Sequence, residues 1–268
     1  MKIAIHSLKT SWKGILLLNL VFIGLTAMVI GIYPNIKESS GMQEYINNLP
    51  ESILYMFGGS ELELDITILE GFLNMELYQW GWVLLLGVYF AFVSSSLISK
   101  EIENKTIDML LSNPVSRGRI LLEKFLGLVP SIILINITTP LVILGCAAYI
   151  NETISVEYLF YTHFASIPYL LAACALGLLF SVIFDEVRRA NTMVIGTVFA
   201  MYILEALSLL SEKYSAMGKI SLSHYYDPGK ILIQHDVDIT GIAILFLVTG
   251  VLLIIAIIYF QRKDIAVV

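Results

Sequence analysis

Histidine and cysteine, the side chains that most readily hold metals or attack carbonyl carbon, are scarce and scattered in this chain. They are His6, His163, His224, His235, Cys146 and Cys174. None of the histidines begins H-E-x-x-H, the spacing that turns two imidazoles towards one zinc ion on a helix face. Both cysteines stand in apolar runs, with no disulfide or metal spacing around them. A nucleophile at Ser94-Ser95-Ser96 would need a histidine at the same depth, yet His163 falls at the far end of a different run. Small residues there read instead as helix-packing contacts. Neither G-x-x-x-x-G-K-[ST] nor G-x-G-x-x-G occurs, so the chain has no phosphate cradle of its own. Gly58-Gly59 leads into Glu61, Glu63 and Asp65, which would repel phosphate. No catalytic site and no bound metal or cofactor are expected.

The residues must therefore act through contact, and the elements that position them are set by a bilayer. The chain has 57% hydrophobic and 14% charged residues, against about 25% charged in ordinary globular chains. Its mean hydropathy is +0.82. Crossing a membrane takes about 20 mostly apolar residues, and six runs qualify: 14–33, 80–99, 121–150, 163–184, 191–210 and 239–260. The third is too long for a simple span. Pro130 and Pro140 are expected to kink it or to divide it into a tilted helix and an outer extension. The run near the start is longer than a signal-peptide core and lacks a small-residue cleavage site, so it reads as a retained helix. Before it, Ile5, Leu8 and Trp12 fall close together at 100° per residue while Lys2, His6, Lys9 and Lys13 share a neighbouring face. That pattern predicts a short interfacial helix ahead of the first span.

Orientation follows from where Lys and Arg gather. One side holds Lys2, Lys9, Lys13, Lys100, Lys105, Arg117, Arg119, Lys124, Arg188, Arg189, Arg262 and Lys263; the other holds Lys37, Lys213, Lys219 and Lys230. Twelve against four puts both termini and the loops 100–120 and 185–190 in the cytosol of a multi-pass cell-membrane protein. The first outer loop, about 34–79, is acidic. Its apolar residues Met42, Tyr45, Ile46, Leu49, Ile53, Met56 and Phe57 recur at helical spacing, and Leu69, Phe72, Leu73 and Glu76 suggest a further helical piece entering the second span. Residues 61–69 alternate and also fit a short strand, but helices with an irregular link are preferred. The expectation is an all-α polytopic membrane protein, one transmembrane domain over 1–268, with a large first extracytoplasmic loop carrying amphipathic helices.

The most informative segment is the polar stretch Glu101–Arg117 between the second and third spans. Thr106, Ile107, Asp108, Met109, Leu110 and Leu111 can make almost two helical turns before Pro114 stops them, and Ser116 can cap the next helix. Met109, Leu110 and Leu111 form an apolar cluster rimmed by charge, a pattern that marks docking surfaces. The alternative is a solvated connector. DEVRRAN (Asp185–Asn191) is too short to fold alone; Arg188 and Arg189 serve equally well as topology anchors.

The stretch Ile98–Gly127, ISKEIENKTIDMLLSNPVSRGRILLEKFLG, resembles the signature loop of permease subunits of type 2 ATP-binding-cassette (ABC) exporters. The resemblance rests on Glu101, Glu103, Thr106, Ile107, Leu110, Leu111, Ser112, Pro114, Ser116, Arg117 and Lys124. The six-span layout, the large first outer loop and Arg262-Lys263-Asp264-Ile265 are similar too. It implies a permease without catalytic activity, dimeric with a second permease subunit as homo- or heterodimer, and coupled to cytosolic ABC ATPases that bind ATP and Mg. No nucleic acid is expected among the partners. In that family context Met109, Leu110 and Leu111 would give buried contacts with the ATPase, and Glu101, Glu103, Asp108 and Arg117 would set register. Asp185, Glu186, Arg188 and Arg189 would form a second contact. An ATPase-independent secondary transporter or channel, or a non-transporting scaffold, is the alternative; the first should show repeats and several intramembrane charges. Here one ionisable group falls within a span, Glu205. It reads either as part of a transport route or as an outer-leaflet carboxyl reaching water. Asn136, Thr138, Thr139 and Asn191 read as interhelical hydrogen-bonding groups.

Overall fold

The computed structural model describes residues 2–39, 41, 44, 48, 50, 65–111, 115–210 and 212–264, with the side chains of 2–11, Met109, Leu111 and Glu212 outside that description. The expected amphipathic helices over 42–57, the Gly58-Gly59 break and most of the alternating stretch 61–69 lie outside the described residues. Six helical stretches are long and apolar enough to cross a membrane, and among the described residues there is no strand.

The first span is α1 (Lys2–Lys37). It corrects the expectation of a separate interfacial helix, because it runs unbroken through the N-terminal basic residues. The reason is local. Gly14 costs only about 1 kcal/mol relative to alanine inside a helix, and no proline precedes Pro34 to force a turn. The second stretch combines α2 (Leu69–Leu73), a π-helical segment (Asn74–Leu86), α3 (Gly87–Ser95) and α4 (Ser99–Glu103). The piece anticipated at Leu69–Glu76 therefore does run into the span. After α5 (Ile107–Leu111) comes the third stretch, α6 (Arg117–Leu126) and α7 (Val129–Tyr149). The break falls at Gly127–Leu128, with Pro130 in the first turn of α7, where its missing N–H costs nothing. Pro140 lies within α7 without ending it. The shorter piece thus lies at the end carrying the termini, and not as an outer extension at the opposite end. The remaining spans are α8 (Val156–Ile183), α9 (Val187–Leu209) and α12 (Ile239–Arg262); α10 (Ser215–Gly218) and α11 (Pro228–Ile233) lie in the long connection before α12.

Helix α8 is the centre of the bundle, packed against α3, α7, α9, α11 and α12. Its small residues make this possible. A Cβ at Gly177 would run into the Ala91 carbonyl oxygen of α3, so the two backbones touch where only glycine fits. Ala172, Ala173, Cys174 and Ala175 are buried along the same stretch. Hydroxyls then lock the contact: Ser94 Oγ donates to the Cys174 carbonyl at 2.5 Å, and Ser181 Oγ accepts from the Ile98 amide at 2.7 Å. Ser95 joins α9 through Asn191 Oδ1 at 2.5 Å, Ser166 reaches Asn136 Oδ1 at 2.6 Å, and Thr138 reaches Asn19 Oδ1 of α1 at 2.9 Å. The small-residue and Asn/Thr readings are thereby given partners, except that the buried Thr139 hydroxyl has none among the described residues. Peripheral helices differ. Leu16, Leu17, Leu20 and Met28 of α1 and Phe246, Leu247 and Ile254 of α12 face outward, as lipid-facing residues would.

Candidate functional site

Helices α4 and α5, the turn 184–187, the start of α6 and the end of α12 gather at one end of the bundle. Helix α4 ends there in a left-handed turn, with Lys105 at φ 56°. The Thr106 amide donates to the Glu101 carbonyl and the Lys105 amide to the Ile102 carbonyl, both at about 3 Å, which is the doubled closure of a Schellman cap. The Thr106 hydroxyl also donates to the Glu101 carboxylate. This tight reversal turns the chain directly into α5. Ile107 is buried and Leu110 is half-buried against the main core, whereas Asp108 is exposed. The apolar cluster is therefore not free of the molecule's own interior, since Leu110 packs inward beside Ile107. The side chains of Met109 and Leu111 and all of Pro114 lie outside the described residues. Ser116 caps α6 as anticipated, accepting from the Arg119 amide at 3.3 Å.

The charged groups of this end are tied to one another through helix termini. Lys124 of α6 meets Glu101 of α4 at 2.6 Å, with the ammonium largely buried. Arg117, at the start of α6, donates to the Phe260 carbonyl at 3.0 Å and the Lys263 carbonyl at 2.7 Å, so a guanidinium closes the C-terminal end of α12. Gly118 beside it allows that approach, as a Cβ there would sit 3.1 Å from Ile257. Lys263, just past α12, sends its ammonium to the Val182 and Ile183 carbonyls of α8 at 2.7 and 3.3 Å and to Asp185 at 2.5 Å. Finally, Glu103 accepts from the Val187 amide at 2.7 Å, placing a carboxylate on the N-terminus of α9. Cations thus cap helix C-termini and an anion caps an N-terminus, each as the helix dipole favours.

Both predicted clusters are accordingly brought together: Glu103 joins the loop 100–116 to the turn 184–187. Within that turn Glu186 pairs with Arg189 at 2.8 Å, and Arg188 is exposed. Glu101, Glu103 and Arg117 all have partners within the chain, Glu103 while exposed to solvent. Lys263 carries more of this geometry than the sequence suggested. Its visible signal was a basic residue directly after the last apolar run, the position from which a cation can reach helix carbonyls.

Glu205 lies at the opposite end, near the close of α9. Its carboxylate oxygens lie 3.0 and 3.1 Å from His224 Nδ1. Gly218 packs so closely that a Cβ would strike both Glu205 and Ser208. The carboxylate therefore fastens the 212–238 connection onto α9.

The family described as ABC-2 family transporter protein matches residues 2–265, nearly the whole chain. The chain belongs to the ABC-2 transporter family. No curated protein matches the sequence. As an ABC-2 family member it is a multi-pass membrane component of a transport system, and its described polar end is built from α4 and its turn, the turn 184–187 and Lys263 just after α12. The resemblance seen in Ile98–Gly127 and the match over 2–265 name the same class.

Proposed function

We propose that this ABC-2 chain is the permease subunit of an ATP-driven exporter, with both termini and the loop 100–116 in the cytosol. Helix α5 is the docking element for a separate ABC ATPase that binds ATP and Mg. The carrying observation is the mounting of α5. It is anchored to the bundle by buried Ile107 and half-buried Leu110, while Asp108 faces out. A docking element needs both properties, since a partner's differential binding energy moves a distant pathway only through a rigid attachment. Met109 and Leu111 supply apolar contact to the partner while Leu110 helps to fix α5 to the bundle, and Arg188 and Arg189 supply a second contact. A second permease subunit, identical or not, completes the pathway. This chain itself performs no chemistry.

The test is capture. Tagged protein solubilised from its native membrane is expected to bring down a polypeptide carrying G-x-x-x-x-G-K-[ST]. Asp108→Lys combined with Met109→Asp should abolish that capture without loss of folded permease, because Asp108 faces away from the core. Undiminished capture by the folded variant overturns the assignment of α5.

A further inference from the structure

The helix-end contacts at the termini end close on themselves. Starting from α4, Glu101 leads to Lys124 of α6, and Arg117 of α6 leads to the end of α12. Lys263 leads from α12 to the end of α8. The turn 184–187 continues to α9, whose first amide returns to Glu103 of α4. Five helices are joined in one circuit by charge-assisted bonds, several between partners 80 or more residues apart.

Lys263 is the point where the circuit is most concentrated. Its side chain touches two carbonyls and a carboxylate, and its own carbonyl receives Arg117. Its side chain is only 10% exposed, so water competes weakly for the bonds to the α8 carbonyls, whereas Asp185 itself stands largely in solvent. Removing the side chain leaves the carbonyls of α8 without their cation and frees the segment that holds Arg117. Two routes then run from the lesion to α4, one through α6 and Lys124, the other through the 184–187 turn and Glu103.

We propose that Lys263 is a positioning residue that holds α4 with its turn at 104–106 and the turn 184–187 as one rigid body, although among the described residues it touches neither α4 nor α5. The consequence for coupling rests on the docking reading above: an ATPase that displaces α5 would move the ends of α8, α9 and α12 together. The circuit itself requires no partner.

Coupling along the circuit is read at a distance from Lys263. Hydrogen exchange is measured on the purified full chain in nanodiscs. Lys263→Met is expected to raise exchange at residues 100–108 by about tenfold, the scale of losing a charge-assisted hydrogen bond from a local opening equilibrium. Exchange in α8 at 170–176 should stay unchanged, and Lys263→Arg should restore 100–108, because a guanidinium can serve the same carbonyls and carboxylate. A merely local cap predicts changes confined to 181–187 and 259–264, and that result overturns the proposal. Asp185→Asn keeps the carbonyl caps and should fold even if Lys263→Met does not. It is expected to raise exchange at 100–108 by a smaller factor, and no rise there is equally fatal. Where ATPase capture fails but the distant exchange effect is present, the docking reading falls and the circuit stands. Where capture succeeds but the effect is local, the reverse holds.

Discussion

His224 approaches Glu205 from the connection between α9 and α12, and this one contact decides what the carboxylate does. In the sequence Glu205 was a charge inside an apolar run, open to a route-lining role or to simple contact with water. The structure gives it an imidazole at 3.0 Å. Hydrogen bonding to Glu205 raises the His224 pKa above its ordinary 6.5, against opposition from burial and from Lys230 and Lys219. A group whose folded pKa is raised stabilises the fold fully below its unfolded value and loses that contribution as pH climbs through the folded value. The 212–238 connection should therefore be best protected from hydrogen exchange below about pH 6.5 and progressively less so on the alkaline side, after correction for intrinsic rates. Glu205→Gln should flatten that dependence. Protection that increases with pH in the unmodified chain would contradict the assigned pair.

At the scale of elements, the α3–α8 contact makes a sharper demand than any single polar pair. Gly177 lies against backbone, at the Ala91 carbonyl, which cannot rotate away as a side chain end would. Gly177→Leu should destabilise the bundle by about 3 kcal/mol or more, at or beyond the upper range of overpacking costs. The readout is the thermal unfolding midpoint in detergent. Gly145→Leu is the control, because nothing lies within 4 Å of the Cβ position there. Equal midpoints for the two variants would mean that α3 and α8 do not meet as described. The same elements show what sequence could and could not reveal. Apolar length was enough to find the six spans, and a serine two residues after Pro114, just before the next run, was enough to find the Ser116 cap. The Schellman turn at Lys105 was not legible, because glycine is the residue that usually announces a left-handed position. Nor was the π-helical segment, whose i→i+5 turns leave no composition signal. Those turns set Tyr78 and Trp82 against His163: the Tyr78 hydroxyl lies 3.1 Å from Nε2, and the Trp82 ring packs edge-on at 4.7 Å. The circuit through Arg117 and Lys263 was hidden for a different reason. Its partners are brought together only when α8 and α12 have packed, so no local pattern records them.

For the whole molecule the deciding quantity is the distribution of positive charge. The termini end carries twelve of the sixteen Lys and Arg residues, and the opposite end carries Lys37, Lys213, Lys219 and Lys230. Several of the twelve do structural work, namely Arg117, Lys124 and Lys263, so part of the excess reflects helix capping. Removing those three still leaves nine against four. The bias acts during insertion, before the caps exist, so all twelve contribute to orientation whatever they later bind. An inside position for this end is also what the docking reading of α5 requires, since nucleotide and ATPase are cytosolic. A cysteine at Asn104, exposed beside α4, should react with a membrane-impermeant maleimide only after the cytosolic face is opened. A cysteine at Ser215, exposed on the opposite end, should react in intact cells. Cys146 and Cys174 are replaced by serine beforehand, with folding checked by the unfolding midpoint. Labelling of position 104 from outside would reverse the orientation. It would also remove the ATPase reading, because α5 would then face a compartment without ATP.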